Sequence, residues 1–126
     1  MKRDMELVRK LVLAMEEAPR GTYSNTLNVD GRTDEEIGFH VCLLLNEGFV
    51  EGRDTTELAG PVPEAIATGL TWQGHNFAAA ARNESRWARV MNLLSNSAES
   101  ATLVTISNLL QGAAARALAA AQSLNV

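Results

Sequence analysis

Residues 44–51 read LLNEGFVE, and this stretch decides the fold. Apolar residues at helical spacing end at Gly48, and glycine readily adopts the left-handed conformation that closes a helix. The next two residues, Phe49 and Val50, are apolar and suit a strand that returns to the core. The stretch therefore predicts a helix that passes through a single glycine into the first strand of a hairpin.

The helix that leads into this stretch has a clear start. Thr33 and Glu36 have the capping-box spacing, in which each side chain accepts a hydrogen bond from the other residue's backbone amide. Apolar residues then repeat at helical spacing, at Ile37, Val41, Leu44 and Leu45. Together these features predict a helix that starts at residue 33 and closes at Gly48.

An earlier helix is predicted over residues 4–17, with Asp4 as its cap. Its core-facing residues follow the same helical period: Met5, Val8, Leu11, Val12 and Met15. Between the two helices, Leu27 and Val29 alternate with a polar residue, which predicts a short strand before the Asp30-Gly31 turn.

Two strands are predicted after Gly48, over residues 49–53 and 65–71. The stretch Gly60-Pro61-Val62-Pro63 between them predicts an irregular hairpin tip. Thr71 then caps a long helix over about residues 72–94. Its predicted buried stripe is Trp72, Phe77, Ala80, Trp87, Val90, Met91 and Leu94. A break at residues 95–97 precedes an alanine-rich helix over residues 99–122.

The order of these elements indicates an α+β, mostly helical fold of the winged-helix type. It runs helix, short strand, helix, hairpin wing, helix, and then an added C-terminal helix. The chain has 126 residues, which suits one domain. We expect a winged-helix domain over residues 1–94 and a helical extension over residues 95–126.

Three segments carry a family resemblance. The sequences MKRDMELVRK at 1–10, IGFHV at 37–41 and LTWQGHNF at 70–77, with Trp87, resemble an uncharacterised winged-helix family of phages and prophages. The resemblance covers roughly residues 1–94. It implies the winged-helix fold and a phage context. It implies no established activity and therefore no functional residues.

Composition narrows the functional classes. Eleven basic and fifteen acidic residues give a net charge of −4, which supplies no general attraction to nucleic acid. The single cysteine, Cys42, suits a reducing compartment. The N-terminus has no signal-peptide pattern, and no apolar run reaches the length of a membrane span. We expect a cytoplasmic protein with no membrane partner.

The residues that most often carry catalysis are scattered. His40 and Cys42 are two positions apart on one helix and so point to different faces. His75 lies in the first turn of another helix, and its expected role is a packing contact. The sequence shows no metal-ligand spacing, nucleophile motif or phosphate-binding glycine loop. We expect neither an enzyme nor a bound cofactor or metal.

Three surfaces are candidates for binding. A winged helix suggests DNA, but the helix at 33–47 has no Lys or Arg, and its first turn carries a candidate partner face of Asp34, Glu35 and Glu36. The candidate contacts for nucleic acid or an acidic partner are basic: Arg9, Lys10, Arg82, Arg86 and Arg89. The last three have the i, i+4, i+7 spacing of one helix face. The candidate dimer helix presents Leu103, Ile106 and Leu110.

Two functions stay open at this point, and both describe a non-enzymatic binding module. One is a phage-type DNA-binding transcriptional regulator, which the fold favours. The other is a protein–protein interaction module, such as a phage protein that binds a host factor, which the acidic helix favours. A homodimer through the C-terminal helices is compatible with either function.

Overall fold

The computed structural model describes residues 1–19, 21–27, 29–56, 63–95 and 101–124. These residues form an α+β, mostly helical structure with five α-helices and a two-stranded antiparallel sheet. The helices are α1 (Met5–Glu17), α2 (Asp34–Asn46), α3 (Trp72–Ala81), α4 (Glu84–Ser95) and α5 (Leu103–Leu124), and the strands are β1 (Val50–Asp54) and β2 (Ala65–Leu70). The chain divides into two compact units, Met1–Ala78 and Ala79–Val126.

The N-termini of α1 and α2 are tied together by one arginine. Asp4 caps α1 as predicted, because its carboxylate accepts hydrogen bonds from the amides of Glu6 and Leu7 at 3.0 and 3.3 Å. The Arg32 guanidinium lies 2.6 Å from the same carboxylate and 3.3 Å from that of Glu36. Arg32 therefore bridges the caps of two helices, a role that the sequence pattern did not reveal.

The two ends of α2 also confirm the sequence prediction. The capping box of Thr33 and Glu36 forms in both directions. At the other end, Gly48 has φ of 78° and donates to the Leu45 carbonyl at 3.1 Å, while the Phe49 amide donates to the Leu44 carbonyl at 2.9 Å. These two hydrogen bonds form a Schellman motif.

Thr71 joins the start of α3 to this helix end. Its amide donates to the Phe49 carbonyl at 3.1 Å, and its hydroxyl donates to the Gly48 carbonyl at 2.6 Å. The same hydroxyl accepts from the Gly74 amide at 3.1 Å and so caps α3. A Cβ atom at Gly74 would collide with the Phe49 carbonyl, so only glycine permits this approach.

The two strands pair from Val50 opposite Leu70 to Asp54 opposite Ala65. A register shift between Glu51 and Gly52 leaves Thr68 without a partner in β1. The predicted tip, Gly60-Pro61-Val62-Pro63, lies outside the described residues except for Pro63.

The short strand predicted at Leu27 and Val29 is wrong for these two residues, which the structure describes as irregular. A 3-10 turn, Ser24–Thr26, stands just before them. The buried Ser24 hydroxyl accepts a hydrogen bond from the Ala67 amide at 2.8 Å. The Ser24 side chain thus bonds the Ala67 amide at the edge of β2, which a third strand would otherwise have paired.

The core of the first unit is built from α1, α2, the hairpin and α3, and the predicted stripe residues Met5, Met15 and Leu45 are only half-buried. Each buried aliphatic or aromatic side chain contributes about 1.5–3 kcal/mol of transfer free energy. The Phe49 and Phe77 rings meet edge to face, with their centroids 5.8 Å apart. The other large buried residues of this unit are Leu7, Val8, Leu11, Val12, Ile37, Val41, Leu44 and Val50.

The single long helix predicted over residues 72–94 is wrong. Helix α3 ends at Ala81 and α4 begins at Glu84. The Asn83 side chain accepts from the Arg86 amide at 2.9 Å, so an internal asparagine caps a new helix. Trp72, which the prediction placed in the buried stripe, is 81% exposed, whereas Trp87 and Val90 are buried as predicted.

In the second unit, α5 packs one face against α4. Thr102 caps α5, because its hydroxyl accepts from the Thr105 amide at 3.1 Å. The helix begins at Leu103, four residues after the predicted start, and residues 96–100 lie outside the described part of the chain. The two compact units meet between Ala78 and Ala79. This division does not test the expected domain boundary between residues 94 and 95, which stays a prediction. No helix in the described ranges is both long and apolar enough to span a membrane.

We expect Asp4→Ala to lower the free energy of unfolding by about 1 kcal/mol at neutral pH, because it removes a helix cap. Burial alone would raise the pKa of the Asp4 carboxyl, but hydrogen bonds from Arg32, Leu7 and Glu6 outweigh it and hold the pKa below its ordinary value of 3.8. Their stabilisation is therefore present above pH 3.8 and is lost as pH falls through the lower folded pKa.

Urea unfolding at a series of pH values tests this prediction. The difference between wild type and Asp4→Ala should shrink in acid. The matched control is Asp30→Ala, which removes an exposed carboxylate. A difference that stays constant down to the acid limit would show that the charged cap is not the source.

We also expect Gly74→Ala to destabilise the protein. Alanine normally stabilises a helix by up to about 1 kcal/mol relative to glycine. Here the added methyl group would strike the Phe49 carbonyl, and that backbone group cannot move without disturbing the Schellman motif. Thermal unfolding checks the sign, and a raised melting temperature would contradict the close approach.

Candidate interaction surface

A cleft of about 480 Å³ lies in the first unit, beside the second half of β2. The C-terminal end of α1 forms one wall, and His75 of α3 contributes to another. Apolar residues of the lining are Met15, Ala18, Pro19, Leu27 and Leu70, and polar ones are Glu16, Thr22, Thr68 and His75. Its volume falls within the range of about 300–1,000 Å³ that is typical of ligand sites.

The exposed face of α3 adjoins this cleft through His75. Trp72 and His75 are three positions apart on the helix, so they share a face, and both are exposed. The two hydrogen bonds of the Thr71 hydroxyl fix the first turn, so the backbone that carries Trp72 is held in place. Sequence reasoning had treated Trp72 as core. Its position directly after a cap was the available signal that it could point outward.

The candidate partner face at the start of α2 is only partly free. Glu36 takes part in the capping box and lies near Arg32, and the Thr33 amide is the main cause that lowers the pKa of its carboxyl. Asp34 and Glu35 are exposed. Asp34 also lines a smaller cavity of about 230 Å³, together with Glu64. The candidate face therefore reduces to two exposed carboxylates.

The candidate basic stripe does not form one helix face. Arg82 lies in the break between α3 and α4. The Arg86 guanidinium donates to the Ala80 carbonyl at 3.2 Å, which places a positive charge at the C-terminal end of α3. Arg89 is exposed on α4. The helix break thus separates Arg82 from the other two and gives Arg86 a structural role.

The remaining basic candidates lie on α1, where Lys10 is exposed and Arg9 is half-buried. Acidic and basic residues are distributed unevenly along the chain. Residues 1–78 contain thirteen acidic and seven basic residues, whereas residues 79–126 contain two acidic and four basic ones. The first unit is therefore strongly acidic, although it contains the basic candidates Arg9 and Lys10.

The candidate dimer helix is covered within its own unit. Leu103, Ile106 and Leu110 are all buried, so these residues cannot form a surface stripe for a second copy. The part of α5 over residues 115–123 is exposed, including Leu118 at 61%.

His40 and Cys42 are buried residues of α2. The Asp4 amide donates to His40 Nε2 at 2.8 Å, so that nitrogen is the acceptor in the neutral ring. The other nitrogen, Nδ1, then donates to the Glu36 carbonyl at 2.7 Å. Burial raises the pKa of the Cys42 thiol, which disfavours the reactive thiolate. His40 of α2 thus ties its helix to the N-terminus of α1 at Asp4. Its two ring nitrogens bond to Asp4 and Glu36, neither of which lines the cleft.

Comparison with known proteins covers nearly all of the first unit and continues into the second. The family described as "Hypothetical protein (DUF2513)" matches residues 2–100. A Haemophilus influenzae protein whose name reads "Uncharacterized protein" is 34% identical over 90 residues, which cover 69% of this chain and 73% of that one. No solved structure gives a significant match. The family match extends through the cleft, the Trp72 face and the whole first unit, and the chain is a member of the DUF2513 family.

Proposed function

We propose that this chain is a non-enzymatic protein-interaction module whose contact surface is the exposed face of α3, with Trp72 at its centre. The observation that carries the proposal is the 81% exposure of Trp72 in a well-anchored helix turn. An indole in water forgoes a large burial free energy, and tryptophan is among the residues most enriched in interface hot spots. A partner that covers Trp72 would recover that free energy.

The charge of the first unit supports a protein partner over nucleic acid. Its acidic residues exceed its basic residues by six, and the exposed Asp34 and Glu35 stand at the N-terminus of α2. In a DNA-binding helix-turn-helix, that end of the recognition helix meets bases and phosphates. Carboxylates at this position would repel the phosphate backbone.

The winged-helix type and the phage origin belong to this proposal. The order of α1, α2, the β1–β2 hairpin and α3 supports a winged helix, as does the Schellman exit of α2 into the hairpin. The resemblance of residues 1–10 and 70–77 supports a phage context. The buried, unpaired thiol of Cys42 supports a reducing compartment such as the cytoplasm.

A DNA-binding regulator is the second candidate. Residues 79–126 have more basic than acidic residues, and Arg89 is exposed on α4. In this alternative, Arg89 would contact phosphates. Since phosphate contacts make binding depend steeply on salt, the two candidates give opposite results in a simple assay.

We expect Trp72→Ala to weaken protein ligands strongly. Ligands selected from a randomised peptide library displayed on phage should bind this variant about 30-fold or more weakly, as expected for a hot spot worth about 2 kcal/mol. Leu118→Ala is the matched control, because Leu118 is exposed at 61% in the other unit. Selected ligands that bind Trp72→Ala as tightly as wild type would refute the proposed surface.

The fluorescence anisotropy of a labelled mixed-sequence DNA duplex distinguishes the second candidate. We expect no binding between about 20 and about 200 mM salt, because the acidic first unit repels phosphate. Binding that falls steeply with salt and is lost in Arg89→Glu would replace the protein-interaction proposal with the regulator.

A further inference from the structure

We propose that two copies of this chain associate through the outer edge of β1, as antiparallel strands related by a two-fold axis at Gly52. The two hairpins then form one four-stranded sheet, with β1 of each copy at its centre. The inference goes beyond the proposed function, because it uses a strand edge that the Trp72 surface does not include.

The first argument is the direction of the backbone groups in β1. The Ala67 amide of β2 bonds to Ser24, so Ala67 and Gly52, which lie opposite each other, exchange no hydrogen bonds. The N–H and C=O of Gly52 therefore face away from β2. Those of Asp54, two positions on, face the same way, and the intervening pattern is confirmed by the Thr55 amide, which donates across the hairpin at 3.0 Å.

The second argument is that this edge is open to solvent. Gly52, Arg53 and Asp54 are all exposed. Since Gly52 has no side chain, its exposure is that of its backbone. Over the described residues, no hydrogen bond reaches the backbone N–H or C=O of Gly52 or Asp54. An unpaired strand edge of this kind offers its hydrogen-bonding groups to another strand.

The third argument is the order of charges along the edge, which selects a second copy of the same strand. Residues 51–54 read EGRD. In a two-fold antiparallel pair, the residue on the axis meets its own copy. An axis at Glu51, Arg53 or Asp54 places like charges directly opposite each other, which destabilises a sheet. An axis between two residues sets outward-facing backbone groups against inward-facing ones. Within residues 51–54, only an axis at Gly52 avoids both faults.

The axis at Gly52 also brings opposite charges together. Glu51 of each copy lies opposite Arg53 of the other, and Asp54 lies opposite the uncharged Val50. The Glu51 carbonyl accepts from the Thr68 hydroxyl and so faces β2, which makes Glu51 and Arg53 a non-hydrogen-bonded pair between the copies. In such pairs the Cβ atoms are about 4.5–5.5 Å apart. Both side chains are exposed, so two ion pairs flank the Gly52 hydrogen bonds.

Sedimentation equilibrium of the full chain tests the inference. The edge is smaller than a standard interface, so the measurement extends to about 1 mM protein. We expect wild type to dimerise reversibly. Glu51→Arg leaves only positive side chains beside the axis and Arg53→Glu only negative ones, so each variant alone should dimerise about tenfold or more weakly. An equimolar mixture of the two variants should restore dimerisation, because each edge then meets the opposite charge.

Matched controls and NMR locate the contact. Glu84→Arg and Arg89→Glu make the same changes of net charge at exposed positions of α4 and should leave dimerisation unchanged. In wild type, the Gly52 amide signal should shift as the protein concentration rises, and its hydrogen exchange should slow. Gly52 itself is left unsubstituted, because a Cβ atom there would strike the Ile66 carbonyl. The amide spectrum of each variant reports whether it is folded.

Three results would overturn the inference. Wild type could stay monomeric at the highest concentration. A dimer could form with equal strength in both single variants, or without a change at the Gly52 amide, which would place the contact on another surface. The mixture of variants could dimerise no better than either variant alone. None of these results bears on the Trp72 surface, which is tested by the ligands selected from the peptide library.

Discussion

The backbone of Phe49 is the junction on which the first unit depends. Its amide closes α2 by donating to the Leu44 carbonyl, and its carbonyl accepts from Thr71 just before α3 begins. The same carbonyl lies where a side chain at Gly74 would have to be. Its ring packs on Phe77, so one residue links a helix end, the hairpin and the next helix. Since these contacts all involve Phe49, the three elements cannot shift independently, and the position of Trp72 follows from them.

Sequence reasoning predicted the elements whose ends are set by local chemistry. The caps at Asp4, Thr33 and Thr71 and the exit at Gly48 all involve residues within a few positions of one another, so their spacing is readable. The prediction of a short strand near Leu27 was wrong because the contact that replaces this strand is distant in sequence. The hydroxyl that accepts from the Ala67 amide of β2 belongs to Ser24, forty-three positions away, and no local sequence pattern predicts this hydrogen bond. The helix break at Asn83 could have been predicted, because asparagine is a good N-cap. The apolar residues continue at helical spacing across the break, and this spacing favoured one long helix instead.

The candidate site was harder to predict than the fold. The predicted basic stripe of Arg82, Arg86 and Arg89 required an unbroken helix, and the helix is interrupted between Ala81 and Glu84. The dimer stripe of Leu103, Ile106 and Leu110 was identified correctly as an apolar face, but the sequence could not say that α4 covers it. The cleft arises where α1, β2 and α3 meet, so its residues share no spacing at all. Such a site depends on tertiary geometry, which a periodic pattern does not encode.

The Ser24 hydroxyl also bears on how an unprotected sheet edge can be tolerated. Open strand edges template aggregation, and proteins limit the hazard by keeping them short or irregular. Here the hydroxyl closes the edge at Ala67, and the register shift leaves Thr68 out of the regular ladder. The side of β2 that faces away from β1 is therefore short and interrupted, so it offers a second copy of the chain little continuous ladder on which to add.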